Sequence, residues 1–234
     1  MNVIPQVVRD GFVRLLGPLV QLLVRLHVHP NFITTVGTLV VLASAAAFAT
    51  GRIQWGGFLL LFSGIFDLLD GRVARETGRA SAFGAFYDST LDRVGEAALF
   101  TGIGIYFMRG GVPPDRVQPG VALCFLALAA SLLVSYARAR AEGLGIECKV
   151  GIAQRAERIL LLGAPVLFFG AGNQGALLFW IVAVVALATA VTVVQRVLHV
   201  ASAVGARQGG ATHPARSRDT LPGHAPALQA RKGH

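Results

Sequence analysis

The sequence predicts an all-α integral membrane protein of about six transmembrane helices, preceded by an N-terminal amphipathic helix at the membrane interface. Three observations carry that prediction. The 234 residues are 54% hydrophobic and only 14% charged, whereas soluble domains run closer to about 25% charged. Mean hydropathy is +0.61. The apolar residues also gather in stretches near the roughly 20 residues that a bilayer span requires. A water-soluble globule does not fit these values.

The charge is lopsided, with 21 Lys+Arg against 12 Asp+Glu and a formal net of +9. In a soluble chain that balance points to nucleic acid. In a membrane chain it sorts into cytoplasmic loops facing anionic lipid, so membrane lipid rather than nucleic acid is the expected partner. Cys124, in an apolar run, and Cys148, in a loop, are too few for a disulfide framework and are read as free thiols.

The elements follow in chain order. Over 5–26, Arg9, Asp10, Arg14 and Arg25 interrupt Val7, Val8, Phe12, Leu15, Leu16, Leu19 and Leu22, the pattern of a helix lying in the interface. The spread of its basic residues and the lack of a clean cleavage site argue against a signal peptide. Pro30 marks the turn into the first span. Apolar stretches near 32–50, 54–75, 83–108, 118–141, 155–171 and 174–201 supply the six helices, of which the second, third and fifth carry charges. From about Gly205 the tail is rich in Gly, Pro, Ala, Arg and His and is expected to be disordered. The expected organisation is thus a membrane domain over 1–204 and a tail over 205–234. His213, His224 and His234 in that tail lack metal-site spacing. No internal repeat is visible.

Orientation follows from basic residues in alternate loops. One side collects Arg9, Arg14, Arg25, Arg72, Arg75, Arg79, Arg138, Arg140, Lys149, Arg155, Arg158, Arg196 and the tail, while the other holds Arg52, Arg109 and Arg116. A multi-pass protein of the cell membrane with both termini cytoplasmic is expected.

The informative segment is Phe66–Glu96. Asp67 and Asp70 lie three apart, and Asp88 and Asp92 lie four apart, so each pair shares one face of its helix. A carboxylate inside a bilayer costs several kcal/mol. Four together repel one another strongly unless a cation stands among them. Oxygen-only ligands point to a hard divalent ion, Mg²⁺ or Mn²⁺. Gly78 allows the two helices to turn back on each other, bringing the pairs face to face. Gly71 and Gly84 remove side chains where something bulky must approach. The plain alternative, aspartates merely paired with Arg72, Arg75 and Arg93, needs neither the double spacing nor the glycines.

The spacing Asp67-x2-Asp70-Gly71-x2-Ala74-Arg75-x8-Gly84-x3-Asp88-x3-Asp92 resembles the complete signature of the CDP-alcohol phosphotransferase (CDP-alcohol phosphatidyltransferase) family. The resemblance implies a six-helix membrane enzyme, usually a homodimer, with a cytoplasmic active site. Such enzymes transfer a phosphatidyl-type group from a CDP-linked lipid to an alcohol and release CMP. It further implies a pair of metal ions held by Asp67, Asp70, Asp88 and Asp92, with Asp92 also the general base. Such a pair would offset the phosphate charge during in-line attack. Around the CDP-lipid the resemblance places Asn31, Thr34, Gly71, Ala74, Arg75, Ser81 and Gly84. Small polar residues such as Asn31 and Ser81 at helix ends also serve as caps, and both readings stand.

For the acceptor alcohol the candidates are arginines, because the guanidinium fork matches a phosphate dianion. SYARARAEGLG, then GIAQRAERILLL and VVQR-x2-H, are similar to the family branch of phosphatidylinositol phosphate synthases and their archaeal-lipid counterparts. That likeness implies CDP-diacylglycerol as donor and inositol 1-phosphate as acceptor, with Ser135, Arg138, Arg155, Arg158 and Arg196 as the phosphate pocket. The branch commonly has lysine where this chain has Arg138, which keeps the charge but changes reach and geometry. Glycerol 3-phosphate, giving phosphatidylglycerol phosphate, and an ether-lipid donor stay open. Serine, which has no phosphate, fits an arginine cluster less well. From other classes, a cation transporter would use intramembrane carboxylates but usually shows repeated topology. A silent scaffold would not need intact aspartates.

Overall fold

The computed structural model describes residues 16–211, with side chains through residue 205. Among the described residues there are helices and no strand. Helix α1 (Gly17–Arg25) falls within the stretch 5–26, whose earlier part lies outside the described residues. Leu16 and Val20 are buried against Ile33, Leu69 and Val73, while Leu19, Leu22 and Leu26 are exposed.

Helix α2 (Pro30–Ala49) opens with proline in its first turn, where a missing N–H costs nothing, and His29 Nδ1 accepts from the Asn31 N–H at 3.2 Å. Helix α3 (Ile53–Glu76) ends before Gly78, whose φ of +67° makes the expected turn. Ser81 then caps α4 (Ala82–Tyr106), its Oγ accepting from the Gly84 N–H at 3.0 Å. A π-helical turn, Phe107–Gly111, leads to α5 (Pro114–Gly143). After α6 (Arg155–Phe169) and a 3₁₀ turn, Asn173–Gly175, the chain runs into α7 (Ala176–Ala211). That last helix passes the boundary expected near Gly205; the tail beyond 211 lies outside the described residues.

Among the described residues, three helical segments are long and apolar enough to cross a membrane by themselves: Pro30–Ala49, Pro114–Gly143 and Asn173–Gly205. Helices α3 and α4 have 24 and 25 residues, but their apolar runs are interrupted by the aspartates and arginines. Helix α6 has 15 residues, short for a span of roughly 20.

The helices close a ring. Helix α2 packs along both α3 and α4, α4 packs on α5, α5 on α7, α7 on α6, and α6 back on α3. Small residues allow the close approaches. A Cβ on Gly57 would lie 2.7 Å from Val166 Cγ2, one on Gly163 would lie 2.7 Å from Leu61 Cγ, and one on Gly102 would strike the Ala45 carbonyl. One end of the ring is filled by Phe48, Leu60, Leu99, Ile103, Phe107, Leu162, Leu178 and Val182. The polar residues of the signature lie on the same helices toward the opposite end. Helices α3 and α4 make little direct contact with each other, since α2 packs against both. The expected face-to-face aspartate pairs therefore look across a cleft instead of meeting on packed helices.

Candidate active site

Asp67 and Asp70 come from α3, and Asp88 and Asp92 from α4. Asp70 is only 8% exposed, and its Oδ2 accepts from Thr34 Oγ1 of α2 at 2.8 Å. A buried carboxylate without a donor would carry a large desolvation penalty, so Thr34 fixes where this oxygen points. Asp67 and Asp92 turn toward the same guanidinium. Arg155 Nη1 from α6 is bonded to Asp67 Oδ2 and lies 2.6 Å from Asp92 Oδ1. Asp88 completes the group electrostatically, its charge acting on Asp67, Asp70 and Asp92.

A cleft of about 190 Å³ opens beside Asp70 and Asp88. Its walls include Asn31, Thr34, Gly71, Ala74, Arg75, Ser81 and Gly84, so all seven residues expected around the CDP-lipid line one space. Arg79 and Ala80, from the α3–α4 turn, join them. The glycines keep it open. A Cβ on Gly84 would stand 3.2 Å from Ser81 Oγ and 3.4 Å from Asn31 Oδ1, and one on Gly71 would stand 3.4 Å from Arg75 Nη1. Ser81 thus both caps α4 and lines the cleft.

The arginines divide. Arg155 and Arg158 emerge three apart at the start of α6, as expected, and both face α4. Arg158 is 6% exposed; its Nη2 is bonded to Glu96 Oε1, and its Nη1 donates to the Ala153 carbonyl at 2.8 Å. Arg196 of α7 is 4% exposed and donates to the carbonyls of Val134 at 2.5 Å and Val150 at 3.0 Å, tying α7 to α5 and to the α5–α6 loop. Ser135 Oγ of α5 accepts from Arg93 Nη1. Arg138 stands apart from these buried groups. It is exposed and paired with Glu142 one turn later, at 2.8 Å.

Two residues outside the expected set belong to this network. Arg93 joins Ser135 to α4 and approaches Asp92 at 3.6 Å, and Glu96 lies 3.2 Å from Arg93 while bonded to Arg158. The available signal was spacing: Asp88, Asp92 and Glu96 recur every four residues and so form one stripe on α4.

The donor chemistry fits a hard divalent cation. Carboxylate oxygens are what such ions take, and Asp67 and Asp92 from different helices aim oxygens at one positive group. Among the described residues no three acidic, His or Cys side chains form a closed metal cage. Arg155 stands between Asp67 and Asp92, where the spacing had suggested a cation.

The chain is 38% identical to the phosphatidylinositol phosphate synthase of Cutibacterium acnes over 200 residues, covering 82% of this chain and 95% of that protein. It is 46% identical to the archaetidylinositol phosphate synthase of Methanothermobacter thermautotrophicus over 138 residues, 59% of this chain and 66% of the relative. Among solved structures it is similar to the phosphatidylinositol phosphate synthase of Mycobacterium tuberculosis with CDP-DAG bound, at 30% identity and a TM-score of 0.70 over 80% of this chain and 94% of that one. The same enzyme in complex with manganese and citrate matches with a TM-score of 0.69 at 29% identity, over 89% of this chain and 95% of that one. The profile for CDP-alcohol phosphatidyltransferase matches residues 27–195. With that match running from just before α2 to the middle of α7, the chain belongs to the CDP-alcohol phosphatidyltransferase family of integral membrane enzymes.

Proposed function

We propose that the chain transfers the phosphatidyl group of CDP-diacylglycerol to a hydroxyl of inositol 1-phosphate, giving phosphatidylinositol phosphate and CMP. The observation that carries the proposal is one of adjacency. The cleft lined by Gly71, Arg75, Ser81 and Gly84 shares Asp70 and Asp88 with the carboxylate group, and the same group touches Arg155 on its other side. A donor diphosphate in the cleft and an acceptor phosphate beside the arginines therefore meet at the aspartates.

Divalent cations, two of Mg²⁺ or Mn²⁺, held by Asp67, Asp70, Asp88 and Asp92 would supply charge stabilisation for the diphosphate. The remaining work falls to the chain. Arg75 offsets diphosphate charge from the cleft wall, and Asn31, Thr34, Ala74, Ser81 and Gly84 shape the space for the nucleotide. Asp92 takes the proton of the attacking hydroxyl, a role typically worth about 10²–10⁴ in rate. The hydroxyl oxygen bonds to the phosphatidyl phosphorus as the bond to CMP breaks. Ser135, Arg155, Arg158 and Arg196 receive the acceptor's phosphate, while Arg138, exposed and paired with Glu142, stands outside this group. In this reading the six helices α2–α7 span the membrane as a homodimer, α1 belongs to an interfacial helix, and both termini and the active site face the cytoplasm.

CMP release by purified protein in detergent tests the proposal, with CDP-diacylglycerol, Mg²⁺ and separate acceptors. The acceptors are inositol 1-phosphate, free inositol, glycerol 3-phosphate and serine. Turnover confined to inositol 1-phosphate and abolished by EDTA is the expected result. Turnover only with glycerol 3-phosphate would keep the chemistry and overturn the acceptor; ion flux without turnover would overturn the enzyme.

A further inference from the structure

Glu96 has no part in the chemistry described above, yet its position is unusual for a carboxylate. It continues the stripe of Asp88 and Asp92 one turn toward the apolar end of α4 and is only 8% exposed. Its ionic partners are arginines. Glu96 Oε1 is bonded to Arg158, Oε2 lies 3.2 Å from Arg93 Nη1, and its charge acts on Arg155. Arg93 then reaches Ser135 Oγ and approaches Asp92. Arg158 and Arg93, from two helices, thus meet on one buried carboxylate, while Arg155 beside them is paired with Asp67 and Asp92.

Electrostatics makes the arrangement costly without that carboxylate. Like charges in a poorly solvated site repel strongly, and a buried charge stripped of its partner is strongly destabilised. Two polar atoms here lack hydrogen-bond partners among the described residues: Arg93 Nε and Glu96 Oε2. Oε2 is compensated by the nearby Arg93 charge. Arg93 Nε keeps a buried donor beside Ser135.

We propose that Glu96 is a positioning residue for the acceptor's phosphate, an inference that rests on the acceptor reading given above. It holds Arg158 through one oxygen and Arg93 through the other. In doing so it presents the guanidinium groups and Ser135 to the phosphate and keeps them from recoiling from each other. Neutralising it as glutamine preserves shape, but its amide N–H₂ must face one of two guanidinium donors, leaving donor opposed to donor. Glu96→Asp retains the charge on a shorter arm.

The test uses full-length protein in detergent, with the KM of each substrate measured separately. Glu96→Gln is expected to raise the KM for the phosphorylated acceptor about tenfold, the size of one lost charge-assisted contact, with the KM for CDP-diacylglycerol unchanged. Glu96→Asp is expected to recover most of that loss. A second readout needs no turnover: inorganic phosphate should raise the Tm of the wild-type protein and raise that of Glu96→Gln less. Equal rises in both KM values, no gain from aspartate, or an undiminished phosphate shift would overturn the inference. A change confined to the metal requirement would also overturn it, making Glu96 part of the cation site. If Glu96→Gln does not fold, Glu96→Asp decides alone: a small residual rise confined to the acceptor KM is expected, and a rise in both KM values or in neither refutes the role. Should the wild-type protein prefer glycerol 3-phosphate, the inositol reading fails, while the same KM split with that acceptor still judges Glu96.

Discussion

The two sides of the site are built by different means. On the donor side, the cleft is made of small residues held by local rules: Ser81 caps its own helix, Gly71 and Gly84 leave space, and Thr34 fixes Asp70 across one helix contact. On the proposed acceptor side, long charged side chains from α4, α6 and α7 find partners across large sequence separations, with Arg158 bonded to Glu96, Arg93 to Ser135 of α5 and Arg196 to the Val134 carbonyl. A cleft of small residues is emptied for a ligand. A network of buried ions is tensioned, and each member depends on its neighbours. Substitutions on the donor side should act by steric loss at one position. Those on the acceptor side should act through coupling.

The largest effect is expected where the two sides meet. Asp92→Asn should lower turnover by about 10²–10⁴ and leave a folded protein, as judged by CMP release alongside thermal unfolding. Wild-type-like CMP release would remove Asp92 from the chemistry on both sides. Next comes the donor cleft: Gly84→Val should raise the CDP-diacylglycerol KM about tenfold or more, because its Cβ already meets Ser81 Oγ and Asn31 Oδ1 within 3.4 Å and overpacking costs about 1–3 kcal/mol. An unchanged acceptor KM in the same variant would sharpen the division; a shared rise would blur it.

On the acceptor side, Arg196→Ala should raise the acceptor KM several-fold and more than the donor KM. It should also lower Tm, because the buried Val134 carbonyl loses its donor at about 1–3 kcal/mol and the half-buried Val150 carbonyl loses one too. A fall in Tm with no change in acceptor KM would make Arg196 a strut between helices. The smallest effect is expected at Arg138→Ala. Its guanidinium is 48% exposed and paired with Glu142, and exposed pairs contribute about 0–1 kcal/mol, so acceptor KM should stay within about twofold. A large rise there would show Arg138 leaving Glu142 to join the phosphate pocket.

Much of the architecture was legible beforehand because the membrane makes sequence explicit. Apolar stretches of span length marked most helix ends to within a few residues, although α7 runs on to Ala211, well past the stretch near 174–201, and Pro30 and Gly78 marked turns where backbone geometry leaves few alternatives. The aspartates were legible for the opposite reason, since four carboxylates in apolar surroundings require an explanation. Helix α6 shows the limit: its 15 residues and its arginines at the entrance gave a weaker apolar signal.

The sequence by itself determined the helices, the two aspartate pairs and the family signature, because spacing of three and four residues on a helix is a local property. Only the tertiary structure decided that α2 packs against both α3 and α4, so that a cleft opens between the pairs. It alone sorted the arginines, setting Arg155 between Asp67 and Asp92, burying Arg158 on Glu96, tying Arg196 to carbonyls and leaving Arg138 outside. The reason is physical. A guanidinium's role depends on which carboxylate or carbonyl lies within about 3 Å, and those partners are set by packing between helices far apart in the chain.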